Sequence, residues 1–198
     1  MRIADCFAHL AARWRDELVV CALGSSSREW YGTTRSDRAF YMLSSMGLAP
    51  SFGMGLALGL PAQRVWVFDG DGGLCVNLST LLTEASQQPP NMVHFVLSNR
   101  VYQVLALHPL GNAARTDFAA IARGAGIERA YTFRDLADFR RDIDGILDAG
   151  QFAFVVLEVE PERRPIPEIP WEGPEVKYRF GRHIEQQAGV QVFGPAGY

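Results

Sequence analysis

Two polar positions near the middle of the chain carry the clearest chemical signal. Asp71 belongs to an Asp-Gly-Asp-Gly-Gly cluster that directly follows the apolar run Val65 to Phe68. Asn99 ends the next apolar run, which begins at Met92. A carboxylate, an amide oxygen and a nearby backbone carbonyl suit Mg²⁺, which prefers six oxygen ligands and commonly takes some of them from phosphate. The pair therefore predicts a magnesium site beside a bound phosphate group.

The residues around Asp71 predict a strand, a turn and a helix in that order. Val65 to Phe68 is typical of a buried parallel strand, and apolar residues at helical spacing follow Gly73. In an open α/β sheet, ligands bind outside the carboxyl ends of the strands. Gly70, Gly72 and Gly73 let the backbone approach a ligand closely, and their N–H groups favour an anion. A diphosphate fits this turn.

In this order the residues resemble the thiamine diphosphate motif. Gly70-Asp71-Gly72 begins the match, Asn77-Leu78 and Glu84-Ala85 match the intervening helix, and Asn99 ends it. The resemblance implies thiamine diphosphate as the cofactor. It also implies that Mg²⁺ is bound by the side chains of Asp71 and Asn99 and by the main-chain carbonyl of Val101.

The similarity extends from about Leu18 to Glu160 and is closest to the sulfopyruvate and phosphonopyruvate decarboxylase branch of the thiamine diphosphate enzymes. The matching segments are Gly24 with Ser27-Arg28-Glu29, Ser45-Met46-Gly47-Leu48-Ala49, Leu97-Ser98-Asn99 and Thr116-Asp117-Phe118 with Ile121-Ala122. The resemblance implies cofactor contacts from Gly24, Ser25, Trp30, Ser45, Met46, Gly70, Asp71, Gly72, Gly73, Asn99 and Val101. In that branch an aliphatic residue after Arg-Glu supports the bent cofactor, and this chain has Trp30 there. It also has Ser44 where a glycine is expected.

The apolar pattern of the whole chain predicts an α/β fold. It consists of a mainly parallel sheet with helices on both faces, and the resemblance implies that this is the thiamine diphosphate-binding fold. Strands are expected at 18–23, 40–43, 65–68, 92–97 and 152–159, and helices at 3–14, 49–60, 74–85, 117–123 and 136–147. Thr132 is a candidate cap for the last of these helices. Gly24 to Trp30 is expected to be a polar loop, and Tyr102 to Thr116 a loop that closes over the site.

Two domain regions are predicted. Residues 1–160 form the diphosphate-binding domain, whereas residues 161–198 hold six of the eleven prolines. Because proline lowers the entropy cost of ordering a chain, this tail is either an extended strap on its own domain or an arm that binds a partner.

The resemblance also implies a second polypeptide. In the family a glutamate from a pyrimidine-binding domain activates the cofactor, and a chain of 198 residues has room for only the diphosphate-binding domain. We therefore expect one subunit of a hetero-oligomeric decarboxylase of small 2-oxo acids, with the catalytic Glu supplied by a pyrimidine-binding partner subunit. A carboligase of the acetolactate synthase type and a non-catalytic cofactor-binding paralogue are the alternatives.

Arginine suits a sulfonate or phosphonate substrate because its planar fork donates two hydrogen bonds. Arg28, at the expected carboxyl edge of the first strand, is the first candidate, followed by Arg100 and Arg115. His108, in the expected closing loop, is a candidate acid or base. For each of these side chains an ordinary surface position is the competing interpretation.

Composition excludes several classes of partner. The net charge of −3 provides no basic stripe for nucleic acid or an anionic membrane. Cys6, Cys21 and Cys75 have no metal-ligand spacing, which favours reduced thiols and a cytoplasmic protein. The uncharged stretch 39–63 is long enough to cross a bilayer, but its Ser, Gly and Pro residues favour loops and a buried helix.

Two other enzyme classes share parts of the motif. Asp69-Gly70-Asp71 imitates the signature of haloacid dehalogenase-type phosphatases, in which the first Asp is the nucleophile. Gly73 replaces the usual Thr, however, and the only lysine, Lys177, lies in the tail. A nicotinamide-binding domain is weaker still, because Gly53, Gly55 and Gly59 fall inside an expected helix.

Overall fold

A computed structural model of the protein, which describes residues 1–161 and 165–194, contains a sheet of six parallel strands. In spatial order the strands are β2 (Ala39–Tyr41), β1 (Leu18–Cys21), β3 (Val65–Gly70), β4 (Met92–Ser98), β8 (Ala153–Glu158) and β7 (Ala130–Phe133). Every neighbouring pair is parallel. The predicted α/β class with a mainly parallel sheet is confirmed.

Helices cover both faces of the sheet, as expected for parallel strands that are apolar on both sides. One face carries α1 (Ile3–Arg13), α2 (Ser25–Thr34) and α7 (Leu136–Asp148), and the other carries α3 (Ala49–Gly59), α4 (Asp71–Val76), α5 (Thr80–Gln87) and α6 (Phe118–Ala125). Along β3, Trp66 and Phe68 enter the first core, whereas Val65 and Val67 enter the second. Alternation along a strand therefore divides the apolar residues between two cores.

Several local predictions were wrong. The expected polar loop 24–30 is mostly α2, and β7 was not predicted at all. Thr132 lies in β7, and α7 is instead capped by Asp135, whose Oδ1 accepts hydrogen bonds from the N–H groups of Ala137 (2.7 Å) and Asp138 (3.2 Å). The helix expected after Gly73 is divided into α4 and α5 at Asn77.

The segment between β4 and α6 is partly regular. A two-residue strand β5 (Val101–Tyr102) pairs in antiparallel fashion with β6 (His108–Pro109), and a 3-10 turn at Gln103–Leu105 connects them. Sequence analysis predicted an irregular loop here because no periodic pattern runs through these residues. Such short strands are too brief to produce one.

The C-terminal region contains a helix that was not predicted. Helix α8 (Gly173–Ala188) packs beside the edge strand β2, where Phe180 contacts Phe40 at 5.4 Å between ring centroids. Pro174 lies in the first turn of α8, where proline is tolerated because the N–H group it lacks has no helical partner. The described part of the tail thus lies against its own domain. Residues 162–164 and 195–198 of the predicted tail lie outside the described residues.

The long uncharged stretch 39–63 contains β2 and α3 rather than one continuous span. Within residues 1–161 and 165–194, no helix has the length and apolar character needed to cross a membrane.

The strand order places a crevice beside the first and third strands. From β1 the chain moves to the edge strand β2, whereas from β3 it moves in the opposite direction to β4. The connections after β1 and β3 therefore diverge, and this divergence leaves a crevice at the carboxyl ends of these strands.

Close packing of α3 on β3 generates the first prediction. A Cβ at Gly53 would overlap Cγ2 of Val67, whereas a Cβ at Gly55 in the same helix would meet open space. Gly53→Ala should therefore lower the free energy of unfolding by about 1–3 kcal/mol, the usual cost of overpacking. Gly55→Ala, the matched control, should raise it by up to about 1 kcal/mol, because alanine favours helix. Urea denaturation of both variants checks this, and equal effects would contradict it.

Candidate cofactor site

The crevice at the carboxyl edge of the sheet gathers residues from four segments. These segments contribute Ala22, Leu23, Ser25 and Ser26 after β1, Met46 and Gly47 before α3, Asp69, Gly70, Asp71, Gly72 and Gly73 at the end of β3, and Leu97, Asn99, Val101, Tyr102, Gln103 and Val104 at and after the end of β4, and Ile3 of α1 also lines the crevice. The predicted cofactor residues Ser25, Met46, Gly70, Asp71, Gly72, Gly73, Asn99 and Val101 therefore lie around one crevice.

Asp71 is the first residue of α4 and is only 2% exposed. Its Oδ2 accepts hydrogen bonds from Ser98 Oγ (3.1 Å) and the Arg100 N–H (2.7 Å), and its Oδ1 accepts one from the Gly72 N–H (2.8 Å). Burial raises the pKa of Asp71, and these three hydrogen bonds oppose that rise because they favour the ionised form. The carboxylate is therefore held in one orientation at the crevice.

Asn99 and Val101 lie beside this carboxylate. The Asn99 side chain accepts a hydrogen bond from the Val101 N–H (3.1 Å) through Oδ1 and donates one to Gln103 Oε1 (3.0 Å) through Nδ2. Because an amide oxygen has two lone pairs, Oδ1 can still bind a cation.

Carboxylate, amide and carbonyl oxygens together form a donor set that fits Mg²⁺. In the part of the chain that the structure describes, no group of three His, Cys, Asp or Glu side chains is arranged to hold a metal. A cation here would therefore depend on the mixed oxygen set and on ligand oxygens.

Glycine is required at positions 72 and 73 of the turn because neighbouring side chains lie too close for a Cβ atom. A Cβ at Gly72 would lie 2.7 Å from the Tyr102 ring and 3.2 Å from Met46 Cε, and a Cβ at Gly73 would lie 2.5 Å from Asp69 Oδ1. Any larger residue would therefore displace the walls of the crevice.

Two backbone N–H groups of this turn were predicted to bind an anion, but in the structure they are already hydrogen-bonded. The Gly70 N–H donates to Asp69 Oδ1 and the Gly72 N–H donates to Asp71 Oδ1, both at 2.8 Å, so these groups already have carboxylate partners. The other N–H groups in the first turn of α4 have no intrahelical acceptor, as at any helix start. They remain the amides suited to a diphosphate.

A buried group of ionisable side chains lies beneath the turn and was not predicted. Asp69, Glu84 and His94 are all fully buried, with His94 Nδ1 2.9 Å from Glu84 Oε1 and His94 Nε2 4.0 Å from Asp69 Oδ2. Burial raises the pKa of Asp69 to about 6. For His94, burial lowers the pKa, but the Glu84 carboxylate and, to a lesser degree, Asp69 outweigh burial and raise it. The sequence offered one signal for this group, which was the presence of polar residues within otherwise apolar runs.

Trp30 does not have the position that was expected for it. It lies in α2 and is fully buried in the core, 5.2 Å from Phe7, 5.4 Å from Trp14 and 4.9 Å from Phe68 between ring centroids. The expectation that it supports the cofactor was wrong, because the helical path of 25–34 turns the indole inward. Its bulk therefore does not obstruct the crevice.

Gly24 and Ser45 flank the crevice rather than line it. Gly24 precedes α2 with a φ of 85°, and a Cβ there would lie 2.9 Å from Val104 Cγ1. Val104 of the hairpin therefore meets the opposite wall at Gly24. Ser45 has a φ of 63° and is exposed beside Met46.

The proposed substrate-binding side chains are not gathered in the crevice. Arg28 points from α2 to Glu168 of the tail (3.0 Å), and His108 is exposed in β6. Arg115 is exposed on the loop before α6. Arg100 directs its guanidinium away from the crevice to Ala113, Thr116 and Glu158. The expected roles of Arg28 and His108 at the reacting centre are therefore not supported by their positions.

With this geometry in view, comparisons with known proteins identify the family. The model of the thiamine pyrophosphate enzyme C-terminal TPP-binding domain matches residues 22–157. The chain belongs to this family. Thiamine pyrophosphate, the cofactor for which the family is named, is thiamine diphosphate. The match covers the crevice residues from Ala22 to Val104 and strands β2, β3, β4 and β7, with β8 up to Leu157, whereas β1 lies just before it.

Similar proteins include both short and long chains. The chain is 38% identical over 169 residues to the sulfopyruvate decarboxylase subunit beta of Methanothermobacter thermautotrophicus, covering 85% of this chain and 88% of that subunit. It is 34% identical over 160 residues to the phosphonopyruvate decarboxylase of Streptomyces viridochromogenes, covering 81% of this chain but only 40% of that enzyme.

A solved structure shows the same fold. The benzoylformate decarboxylase from Polynucleobacter necessarius superposes with a TM-score of 0.68 at 16% identity, covering 83% of this chain and 34% of that one. The chain therefore corresponds to about a third of that enzyme, and this likeness concerns the fold alone.

The buried histidine generates a prediction on pH. Because the pKa of His94 is raised in the folded protein, its imidazolium stabilises the fold below the unfolded pKa of 6.5, and this contribution is lost as pH rises through the folded pKa. The free energy of unfolding lost in His94→Gln should therefore be larger at about pH 6 than at about pH 9. Denaturant titrations of the cofactor-free protein at both pH values measure this loss of unfolding free energy. Glu84→Gln, which removes the main partner, should weaken the same pH dependence, and an unchanged loss at both pH values would contradict the assignment.

Proposed function

We propose that this chain is the diphosphate-binding subunit of a two-subunit thiamine diphosphate-dependent decarboxylase that acts on a small 2-oxo acid of the sulfopyruvate or phosphonopyruvate type. The observation that carries the proposal is the position of Asp71 and Asn99, which directly follow neighbouring strands and share one crevice in a chain of this family. A relative of which 88% is covered is named as a beta subunit, which supports a partner.

In this proposal the Asp71 carboxylate, the Asn99 amide oxygen and the Val101 carbonyl would hold Mg²⁺, because these are the hard oxygen ligands that it prefers beside phosphate. Thiamine diphosphate, when bound, supplies the electron sink for loss of CO₂. The protein groups bind and orient the cofactor. Ser98 and the Arg100 N–H keep the carboxylate turned toward the crevice, and the Tyr102 ring lies against Gly72 on the diphosphate turn.

The catalytic glutamate is proposed to come from a pyrimidine-binding partner subunit. Among the described residues that line the crevice, the carboxyl groups are those of Asp69 and Asp71, and both accept hydrogen bonds within the turn. The phosphonopyruvate decarboxylase relative is a longer chain of which this one covers 40%, so its remainder has room for a second domain. A separate subunit would replace that remainder here.

Exposed apolar side chains beside the crevice support such a partner. The Asn77 side chain donates to the Gly47 carbonyl (2.9 Å), which brings the turn before α3 against the junction of α4 and α5. The neighbouring residues Leu48, Val76 and Leu78 are all exposed. Because contiguous exposed apolar residues commonly mark protein interfaces, this group is the proposed contact with the partner.

We propose that side chains of the partner subunit bind most of the substrate's anionic group. The described lining residues of the crevice include no arginine, lysine or histidine. Arg115 is the remaining candidate in this chain, because Arg28 pairs with Glu168 and Arg100 is held by the loop. The free thiols of Cys6, Cys21 and Cys75 support a cytoplasmic location, which we also propose.

The alternatives are less well supported. A non-catalytic paralogue was favoured only by Trp30, which lies in the core and leaves the crevice clear. In a phosphatase, Asp69 would be the nucleophile, but it is fully buried and bonded to the Gly70 N–H. Carboligation remains a second outcome of the same cofactor chemistry, which product analysis separates from simple decarboxylation.

Cofactor binding tests the first part of the proposal. Titration calorimetry of the purified chain together with its partner subunit should detect thiamine diphosphate binding that requires Mg²⁺. Asp71→Asn, which keeps the shape but removes the charge, should weaken binding at least about tenfold. Asp135→Asn, a change at the distant cap of α7, serves as the matched control. Equal affinity in Asp71→Asn and the control would refute the assignment of Asp71.

Turnover tests the second part. The purified chain alone should release no CO₂ from sulfopyruvate or phosphonopyruvate above the uncatalysed rate, because its crevice lacks the activating glutamate. Addition of the partner should produce the aldehyde and CO₂, and replacement of the partner's glutamate by glutamine should abolish this. Normal decarboxylation by the chain alone would overturn the two-subunit proposal, and a condensed product would favour the carboligase.

A further inference from the structure

We propose that Arg100 is a positioning residue that fixes the wall of the crevice, residues 101–116, to the carboxylate of Asp71. This inference rests on the proposed function, because it concerns how the cofactor would be retained. The guanidinium itself faces away from the crevice, so Arg100 would act through the residues it holds rather than by contact with cofactor or substrate.

The backbone of Arg100 is the first half of the connection. Its N–H donates to Asp71 Oδ2 at 2.7 Å, and its carbonyl accepts from the Leu110 N–H at 3.0 Å. Arg100 has a φ of 67°, which is uncommon for a residue other than glycine. This conformation reverses the chain directly after Asn99, so the Asp71 carboxylate and the residue that follows β6 are joined through the backbone of one residue.

The side chain is the second half. Nη1 donates to the carbonyls of Ala113 (2.7 Å) and Thr116 (2.6 Å), and Nη2 donates to Glu158 Oε1 (2.9 Å) at the end of β8. Three acceptors around one planar fork require the guanidinium geometry, because an ammonium group is a single point that cannot span them. The side chain is 32% exposed, so most of it is shielded from solvent.

The segment between these anchors forms part of the crevice. Tyr102, Gln103 and Val104 line it, with Tyr102 against Gly72 and Val104 against Gly24 of the opposite wall. The segment begins at the residue after Arg100, and its second half is bound back to Arg100 through the backbone at Leu110 and through the side chain at Ala113 and Thr116. Loss of the guanidinium should loosen the wall while leaving the Asp71 hydrogen bond from the backbone intact.

Arg134 provides a matched control. It also reaches Glu158 Oε1 (3.2 Å), but its side chain is 66% exposed and Glu158 is the partner that the structure gives it. A variant of Arg134 removes a similar charge near the same carboxylate without touching residues 101–116. It therefore separates the effect of charge from the effect of the anchor.

The test compares Arg100→Lys, Arg100→Met and Arg134→Met as full-length chains. In the cofactor-free protein, hydrogen exchange of amides within 101–116, including that of Leu110, should accelerate at least about tenfold in both Arg100 variants. Exchange of the sheet strands should match the wild type, which shows that the fold is intact. Arg134→Met should exchange like the wild type throughout. Wild-type exchange in Arg100→Lys would overturn the proposal.

With the partner present, the two Arg100 variants should raise KM for thiamine diphosphate about tenfold, while kcat at saturating cofactor should stay within about twofold. A faster exchange of 101–116 without any change in KM would refute the positioning role. If the wild-type pair neither binds nor uses thiamine diphosphate, the proposed function fails, and the exchange experiment still decides whether Arg100 anchors the segment.

Discussion

The buried carboxylate of Asp71 is the constraint on which the crevice depends. A charged group that is almost completely removed from water must be compensated by hydrogen bonds or by a cation. Here three donors compensate it, from Gly72 in its own turn and from Ser98 and Arg100 at the end of β4. These bonds join the turn after β3 to the end of its neighbouring strand, so the two strand ends that carry Asp71 and Asn99 must stay together.

Close packing extends this constraint to the elements around the turn. Gly53 allows α3 to lie directly on Val67 of β3, and Gly73 allows α4 to begin beside the Asp69 carboxyl. Beneath them, the ionisable group Asp69, Glu84 and His94 fills a site that an apolar core would otherwise occupy. The turn therefore lies above the His94–Glu84 pair and the Asp69 carboxyl, and helices approach it closely from the side.

The family and the geometry agree on what the crevice is for. The match to the TPP-binding domain covers the lining residues from Ala22 to Val104, and the similar proteins include a beta subunit of comparable length and a longer enzyme. The proposal that a second polypeptide completes the site draws on the described lining residues, which include two carboxyl groups and no basic side chain. The exposed apolar residues Leu48, Val76 and Leu78 beside it are consistent with the same arrangement.

The prediction succeeded where a signal is local along the chain. The strands that end at Asp71 and Asn99, the glycine turn between strand and helix, and the α3 helix are each encoded within about ten consecutive residues, because apolar periodicity and glycine act on near neighbours. It failed where the pattern was weak or interrupted. The Ser-rich start of α2 resembles a loop, and the prolines of the tail concealed α8, although Pro174 stands where a helix accepts it.

By itself, the sequence determined the class of fold, the motif and the candidate metal ligands, since these follow from residue types at short spacing. Only the tertiary structure decided that Trp30 belongs to the core, that Arg28 faces the tail, and that Arg100 holds the wall of the crevice. It also brought Glu84 and His94 together beneath Asp69. The physical reason is that these contacts join segments distant along the chain, and strand order and helix rotation determine which side chains meet.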